Sequence, residues 1–546
     1  QLDINLAFDG LQSERISATS VALTDTFGVI TNPDPVGEHQ ASLSATPVET
    51  RDIFGSSLTI DYDFKNDYSF KSITAYRDTE SSNFQDIDFS VVDYLTSLYV
   101  DQFKQTTQEF QILSPNDADF KYVVGLYLYK QEATTNRRVD MGNASAFIYD
   151  QGPDHEDDQD QAVNIGTVDT TSIALFMNGS YQLDDKWKLG FGLRYSEEEK
   201  EADWSLDGPN INNVPITDVP EFKDSRTDNN LSPMVSLNYA LNDDSQVYAK
   251  YSTGFKSGGY NLDWVDESAF EQGLEFDKET VVSYELGYKA KLFDNALSLS
   301  SAIFISNYDD YQVNQYLNLG DDGSGRTLTA IQITNAAKVE TSGLEIEVTY
   351  YLTDSFTINA NLGLLDATFD DFPGGMENPE NGDPVNAAGN RLPYSSEVNG
   401  SIGFQYYQEI NALNADLLMR VDVAYNGEHF TDISNEETAN ISGNIGEIPL
   451  GPDFSVTPLI PVPTCMFYSE NCAQDYTINT GHIDSYVLVN ARIGLIDIDE
   501  TWEVYLWGRN LTDEGQVIDS TQQFFGTFIN TNQTPRTYGI EGTYRF

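Results

Sequence analysis

Apolar and polar residues alternate along this chain in stretches of about ten, and the alternation recurs to the last residue. Phe356, Ile358, Ala360, Leu362 and Leu364 alternate with Thr357, Asn359, Asn361 and Gly363. The same holds for Val282, Tyr284, Leu286, Tyr288 and Ala290, for Trp187, Leu189, Phe191, Leu193 and Tyr195, and for Val487, Val489, Ala491, Ile493 and Leu495. Successive side chains on a strand point to opposite faces, so each stretch has one apolar face and one face of small or charged groups. In a soluble sandwich the apolar face would meet a second sheet. Here Lys289, Arg194, Arg492 and Glu285 stand near mid-strand on the other face, as a water-filled lumen permits.

The connections sharpen this reading. Turn-forming residues occupy Lys65–Asp67, Asp184–Asp185, Asn242–Ser245, Asp294–Asn295 and Thr353–Ser355. Between them lie long polar stretches, among them 131–170, 196–228, 366–395 and 426–484, which read as loops. Short and long connections alternate strictly, the pattern of tight periplasmic turns and long external loops in an outer-membrane barrel. The count is about eighteen strands, with nine long and eight short connections. The first strand runs outward from Gln1 and the last returns to the periplasm at Phe546. No linker or composition shift divides the chain, so the expected fold is all-β, a single transmembrane antiparallel β-barrel over residues 1–546.

Composition alone points elsewhere. Hydrophobic residues make up 40%, mean hydropathy is −0.40, and no apolar run approaches the roughly 18 residues of a membrane helix. A barrel strand shows lipid only every second residue, so its average looks polar. The 32 Tyr, 30 Phe and 5 Trp fit interfacial girdles, and they also fit a large soluble sandwich or propeller. The net charge of −58 excludes nucleic acid as a partner. The acidic run Asp154–Asp160 (DHEDDQD) has the oxygen ligands a divalent cation favours, but it lacks the Gly and closing Glu of an EF-hand loop and reads as a solvated loop.

Cys465 and Cys472 are the only cysteines and fall within one expected loop; such a close pair reads as a local disulfide in an oxidising compartment. There is no G-x-S-x-G elbow, H-E-x-x-H or phosphate-binding glycine loop, so neither an enzyme nor a cofactor is expected. His39, His155, His429 and His482 all fall in expected external loops, the last two in the longest. Loop aromatics Trp204, Trp264, Tyr311, Tyr316, Phe467 and Tyr468 are candidates for stacking on a catecholate chelate, a corrin or a sugar ring. Packing of the loops against one another explains the same residues.

Four segments carry a resemblance. Tyr251–Asn261 reads YSTGFKSGGYN, Asn335–Glu347 reads NAAKVETSGLEIE, Trp507–Glu514 reads WGRNLTDE, and Pro535–Phe546 reads PRTYGIEGTYRF. In this order they resemble TonB-dependent receptors of the iron-complex type; the first half of the chain matches only in its rhythm of strands and loops. The resemblance implies a barrel of about 22 strands whose lumen is filled by an N-terminal plug that contacts TonB. It also implies that the terminal strand, with Tyr544 and Phe546, is read by the barrel-assembly machinery.

No plug precedes Gln1 and the strand count falls short, so the plug and first strands are expected upstream. The implied function is energised import of a scarce nutrient, a ferric siderophore or similar metal complex, across the outer membrane, with lipids and TonB as partners. A passive porin, which about 16–18 strands suffice to build, and a surface-binding adhesin barrel are the alternatives.

Overall fold

The computed structural model describes residues 1–17, 20–22, 41, 43–89, 93, 95–142, 161–208, 219–264, 270, 273–321, 327–377, 384–435, 438–441, 476–479, 481–522 and 528–545. Within these it describes the backbone alone at 21–22, 315–321, 327–331, 336, 377, 438–441, 476–479, 521–522 and 528. Eighteen strands form one sheet. They are β1 (Leu2–Ile16), β2 (Val48–Asp63), β3 (Ser69–Asp86), β4 (Leu95–Leu113), β5 (Phe120–Met141) and β6 (Gln161–Gln182). Then follow β7 (Trp187–Asp207), β8 (Val219–Asn242), β9 (Ser245–Lys256), β10 (Glu279–Leu292), β11 (Leu297–Asp321) and β12 (Thr327–Thr353). The last six are β13 (Phe356–Asp371), β14 (Val398–Ile410), β15 (Ala415–Asn426), β16 (Tyr486–Asp497), β17 (Trp502–Arg509) and β18 (Thr537–Tyr544).

Each strand pairs antiparallel with the next in sequence, from β1–β2 through to β17–β18. Seventeen connections join them, short and long in alternation as the sequence predicts, except that only five residues, 322–326, link β11 to β12 where a long connection is expected. Among the described residues no ladder joins β1 to β18.

The register shows why the sequence alternates. Leu2, Tyr62, Phe70, Ile112, Val124, Met177 and Leu193 stand opposite one another across seven strands, forming one continuous apolar row. One residue along, the row reads Asp3, Asp61, Lys71, Gln111, Gly125, Phe176 and Arg194. Lys71 pairs with Asp61 at 3.2 Å, and the Arg194 guanidinium lies 5.9 Å from the Phe176 ring centre. Gly125 is required here, since a Cβ would stand 2.3 Å from the Phe176 ring. The polar row belongs to the inner face: further up β7, on that same face, Ala202, Trp204 and Leu206 are buried under an inward-folded loop. The apolar positions of the sequence face outward, with Leu193, Tyr284, Leu362 and Ile493 all exposed to where lipid lies.

Aromatic pairs collect at the short-turn end, including Tyr62–Phe64 at 5.0 Å, Phe120–Tyr122 at 5.2 Å and Trp187–Tyr239 at 4.5 Å between ring centres. This is the interfacial girdle that the aromatic content implies. Asp67, Asn295 and Asn414 close short turns with φ of 63°, 69° and 50°, a left-handed conformation that Asn and Asp tolerate.

One expectation needs correction. Much of 131–170 and 196–228, read as loop, is strand: β5 runs to Met141, β6 starts at Gln161, β7 runs to Asp207 and β8 starts at Val219. Residues 366–371 likewise belong to β13. The longest strands, β11 and β12, have 25 and 27 residues, where about 9–11 cross a bilayer. The sheet rises well above the lipid, where both of its faces meet water and hydropathy no longer marks it.

Candidate functional site

At the long-loop end, residues 257–264, 270 and 273–278 of one connection fold inward across β4–β8 and build part of the lumen mouth. Its apolar residues Leu262, Trp264, Phe270 and Leu274 pack with Leu95, Tyr99, Val139, Ala162, Trp204, Leu206, Val219 and Phe222 of the wall. Both indoles in this cluster are satisfied: Trp204 Nε1 donates to Asn164 Oδ1 at 2.8 Å, and Trp264 Nε1 to Tyr99 Oη at 2.9 Å. Asn164 in turn donates to the Leu262 carbonyl at 3.2 Å. Beside Trp264, Arg137 reaches Asp263 at 3.1 Å and lies 5.0 Å over the Tyr99 ring.

The root of the same connection is clamped by charge. Arg226, 9% exposed, grips Asp228 with Nε and Nη2 at 3.0 and 3.1 Å. Its Nη1 donates to the Phe276 carbonyl at 2.7 Å and meets Glu275 at 3.2 Å. Asp228 Oδ2 also accepts the Gly258 N–H at 3.1 Å, and Lys200 Nζ donates to the Gly258 carbonyl at 2.7 Å. Only glycine fits at position 258, because a Cβ would stand 2.3 Å from Arg226 Nη2. Burial works against the Asp228 carboxylate, but the hydrogen bond and charge of Arg226 outweigh it and hold its pKa below the ordinary range. Glu275 moves the other way, raised by a hydrogen bond with Asp224, by burial and by the Asp224 charge, against the pull of Arg226.

Amides finish the clamp. Gln312 Nε2 donates to the carbonyls of Ser257 and Asp277 at 2.9 and 3.0 Å. Asn335 donates to the Asp277 and Asp310 carbonyls at 2.6 and 2.9 Å, and Asn261 exchanges two bonds with Ile333 at 2.8 and 3.0 Å. Gly258 and Asn261 of YSTGFKSGGYN and Asn335 of NAAKVETSGLEIE are therefore among the fastenings of this strap. WGRNLTDE does similar work beside β18. There Asn510 donates to the Glu514 and Thr534 carbonyls, both at 2.9 Å, and Arg536 pairs with Asp513 at 3.2 Å.

The candidate aromatics divide. Trp204 and Trp264 share the first cluster and are 1% and 5% exposed. Trp204 lies on β7 and Tyr311 on β11, so neither is a loop residue as expected, because the strands outrun the apolar pattern. Tyr311 packs against a second cluster that includes Val313, Val339, Phe369 and Phe372, edge-on to Tyr308 at 5.6 Å. Tyr316, also expected in a loop, falls within β11 opposite Ile331, its side chain outside the description.

Cys465, Cys472, Phe467, Tyr468, His39, His155, the run 154–160 and Phe546 lie outside the described residues. Tyr544 ends β18 and is 66% exposed. His429 and His482 lie on one two-stranded ribbon, His429 opposite Ile483 and His482 opposite Phe430, so the two rings stand on opposite faces of it. Among the described residues no group of three or more His, Cys, Asp or Glu is placed to hold a metal ion. Sequence reasoning missed Arg137, Arg226 and Gln312. The one available signal was Arg226-x-Asp228, a spacing that puts opposite charges on one strand face.

A wide antiparallel meander, apolar outside, polar inside, with short turns at one end and strapped long connections at the other, defines an outer-membrane β-barrel. The family model described as TonB dependent receptor-like, beta-barrel, matches residues 3–511. The chain belongs to this family of outer-membrane receptors, which are not enzymes.

Among curated relatives, the pesticin receptor of Yersinia pestis is 23% identical over 342 residues, covering 61% of this chain and 42% of the relative. The chain thus matches less than half the length of such relatives. Among solved structures, the ferric yersiniabactin uptake receptor of Yersinia pestis superposes with a TM-score of 0.70 at 17% identity. That match covers 99% of this chain and 67% of the other. The siderophore receptor PiuA of Acinetobacter baumannii gives 0.68 at 14% identity, with 99% and 71% covered. At these identities the superpositions speak for the fold.

Proposed function

We propose that this barrel is the wall of a receptor that imports a ferric siderophore or similar metal complex, with work supplied through TonB. The observation that supports this most is the family match over residues 3–511, which runs from β1 to β17. Relatives described as uptake receptors for ferric yersiniabactin and for a siderophore suggest the ligand class. In this reading further strands of the receptor complete the ladders at the free edges of β1 and β18, and a plug fills the lumen. Unpaired backbone groups at membrane depth cost several kcal/mol each, so some partner is needed at both edges. Tyr544 and Phe546 are then the signal for barrel assembly.

The test is uptake of radioactive iron as a siderophore complex by cells that carry or lack the receptor, each with and without TonB. Import is expected only when both are present. Uptake that needs the receptor and ignores TonB would leave the passive porin, the reading that a count of eighteen strands by itself favours.

A further inference from the structure

Two neighbouring strands turn polar side chains toward the lipid. The outward residues of β3 run Phe70, Ser72, Thr74 and Tyr76 before the first charge, Asp78. Beside them on β4 stand Ile112, Phe110, Gln108 and Thr106, followed by Lys104. On both flanks the same rows are apolar, with Ile4 and Leu6 on β1, Ile60 and Leu58 on β2, and Leu126 and Leu128 on β5. Thr74 is the sixth residue of β3, and Gln108 the sixth from the end of β4. About 9–11 residues cross a bilayer, so both lie near the middle of the crossing.

These groups bind one another first. Thr74 Oγ1 donates to Gln108 Oε1 at 2.6 Å, and Gln108 Nε2 donates to Ser72 Oγ at 3.0 Å and to the Glu109 carbonyl at 3.1 Å. The Ser72 proton is left without an acceptor among the described residues, and the exposed Thr106 adds a third hydroxyl beside it. Hydrocarbon satisfies neither, and polar groups at this depth are costly unless a partner meets them. The patch lies on the outside of the wall, on the third and fourth strands from the β1 edge. A plug in the lumen, or further strands at the edges of β1 and β18, would not cover it.

Lipid offers only acyl chain at mid-depth, so the occupant that fits is protein. Ser, Thr and Gln each donate and accept, so the patch complements itself. The charges just above the lipid do the same. Asp52, Asp78 and Glu80 stand on the β2–β3 side, and Lys104 and Lys130, with Glu132, on the β4–β5 side. Neither lysine forms an ion pair among the described residues. A two-fold axis along the membrane normal lays each side of one patch against the opposite side of the other, so that acids meet lysines on both flanks. We infer that the outer face of β3–β4 is the interface of a homodimer, two copies of the receptor side by side in the membrane. This interface stands whether or not the barrel imports iron.

The experiment uses the complete receptor in outer membranes, carrying Cys465→Ser and Cys472→Ser and a single new cysteine, Thr74→Cys or Thr106→Cys. Oxidation should yield a covalent dimer of the receptor on denaturing gels from at least one of the two. Leu362→Cys, outward on β13, should give only the background of chance collisions. Adding Gln108→Leu, which removes the central donor and acceptor, should reduce the dimer to that background. Heat-dependent gel mobility confirms that each variant is a folded barrel. Dimer from both cysteines no greater than from Leu362→Cys would overturn the inference, as would a crosslink to a protein of another mass. So would a dimer that Gln108→Leu leaves intact in the folded barrel.

Discussion

Arg226→Ala should release the strap at 257–278 while leaving the barrel standing. The side chains of Arg226 and Asp228 are 9% and 10% exposed, so the substitution leaves a largely buried carboxylate with only the Gly258 N–H and the Lys200 charge to offset it. Breaking a buried ion pair from one side costs about 3–5 kcal/mol, and we take the lower end because the strap borders the lumen. The Phe276 carbonyl loses its donor at the same time. About 3 kcal/mol is a factor of more than a hundred in local opening, and it falls on a connection otherwise held by the Trp264 cluster, the Arg137–Asp263 pair and the hydrogen bonds of Lys200, Gln312, Asn335 and Asn261.

Hydrogen exchange on the receptor in detergent reads this directly: amides at 257–264 and 273–278 should lose protection while those of β9 and β10 keep theirs. Arg226→Met with Asp228→Leu, which removes both charges, should lose far less. Equal protection in wild type and Arg226→Ala would refute the clamp. Equal loss in the single and double variants would show that packing, and not charge, holds the strap.

The same strap should respond to pH in two senses. Asp228, depressed, stabilises it above the unfolded value of 3.8 and fails as pH falls through its folded value; Glu275, raised, stabilises it when protonated and fails as pH rises through its folded value. Exchange protection should therefore peak in a window that includes 3.8 to 4.5, and a monotonic profile would contradict the two shifts. On β13, Leu362→Arg should block assembly into the membrane, since a charge at the midplane costs about 2–4 kcal/mol, whereas Asn361→Arg on the inner face should be mild. Equal damage from the two would mean that the register is slipped by one residue. Cys465 and Cys472 should be joined in freshly prepared outer membranes, as read by mass mapping without reduction, and finding both thiols free would remove the bond.

The sheet was legible where it meets lipid, because there the two faces differ in polarity and the alternation reports it. Leu362 and Leu364 marked β13 for that reason. Above the lipid the same backbone ladder continues through Glu197–Asp207 and Val219–Asp228, and both faces are polar on long stretches of it. Hydropathy then reports water, while the ladder is held by backbone hydrogen bonds that leave no mark in composition. Trp204 and Tyr311 were misplaced into loops by this effect.

The site was legible in its parts and not in their meeting. Gly258, Asn261 and Asn335 stood in segments quoted for a family resemblance. Arg226, which explains Gly258, sits 32 positions earlier and became adjacent only through the β8–β9 hairpin. Trp264 was visible as a loop aromatic, but its burial against Tyr99 and Val139 depends on an inward fold that no local pattern announces.

The account rests most on β1 and β18 being separate edges of a larger wall. Paired cysteines introduced on the inner face, in the receptor as assembled in outer membranes, test this directly. Ala7 with Ser57 serves as the positive control, since those residues are ladder partners. Asn5, Ala7 and Asp9 are each combined with Gly539 and Glu541 to span the possible registers. The account predicts rapid crosslinking of the control and none between β1 and β18; an efficient crosslink in any β1–β18 combination would mean that the eighteen strands close on themselves as a porin.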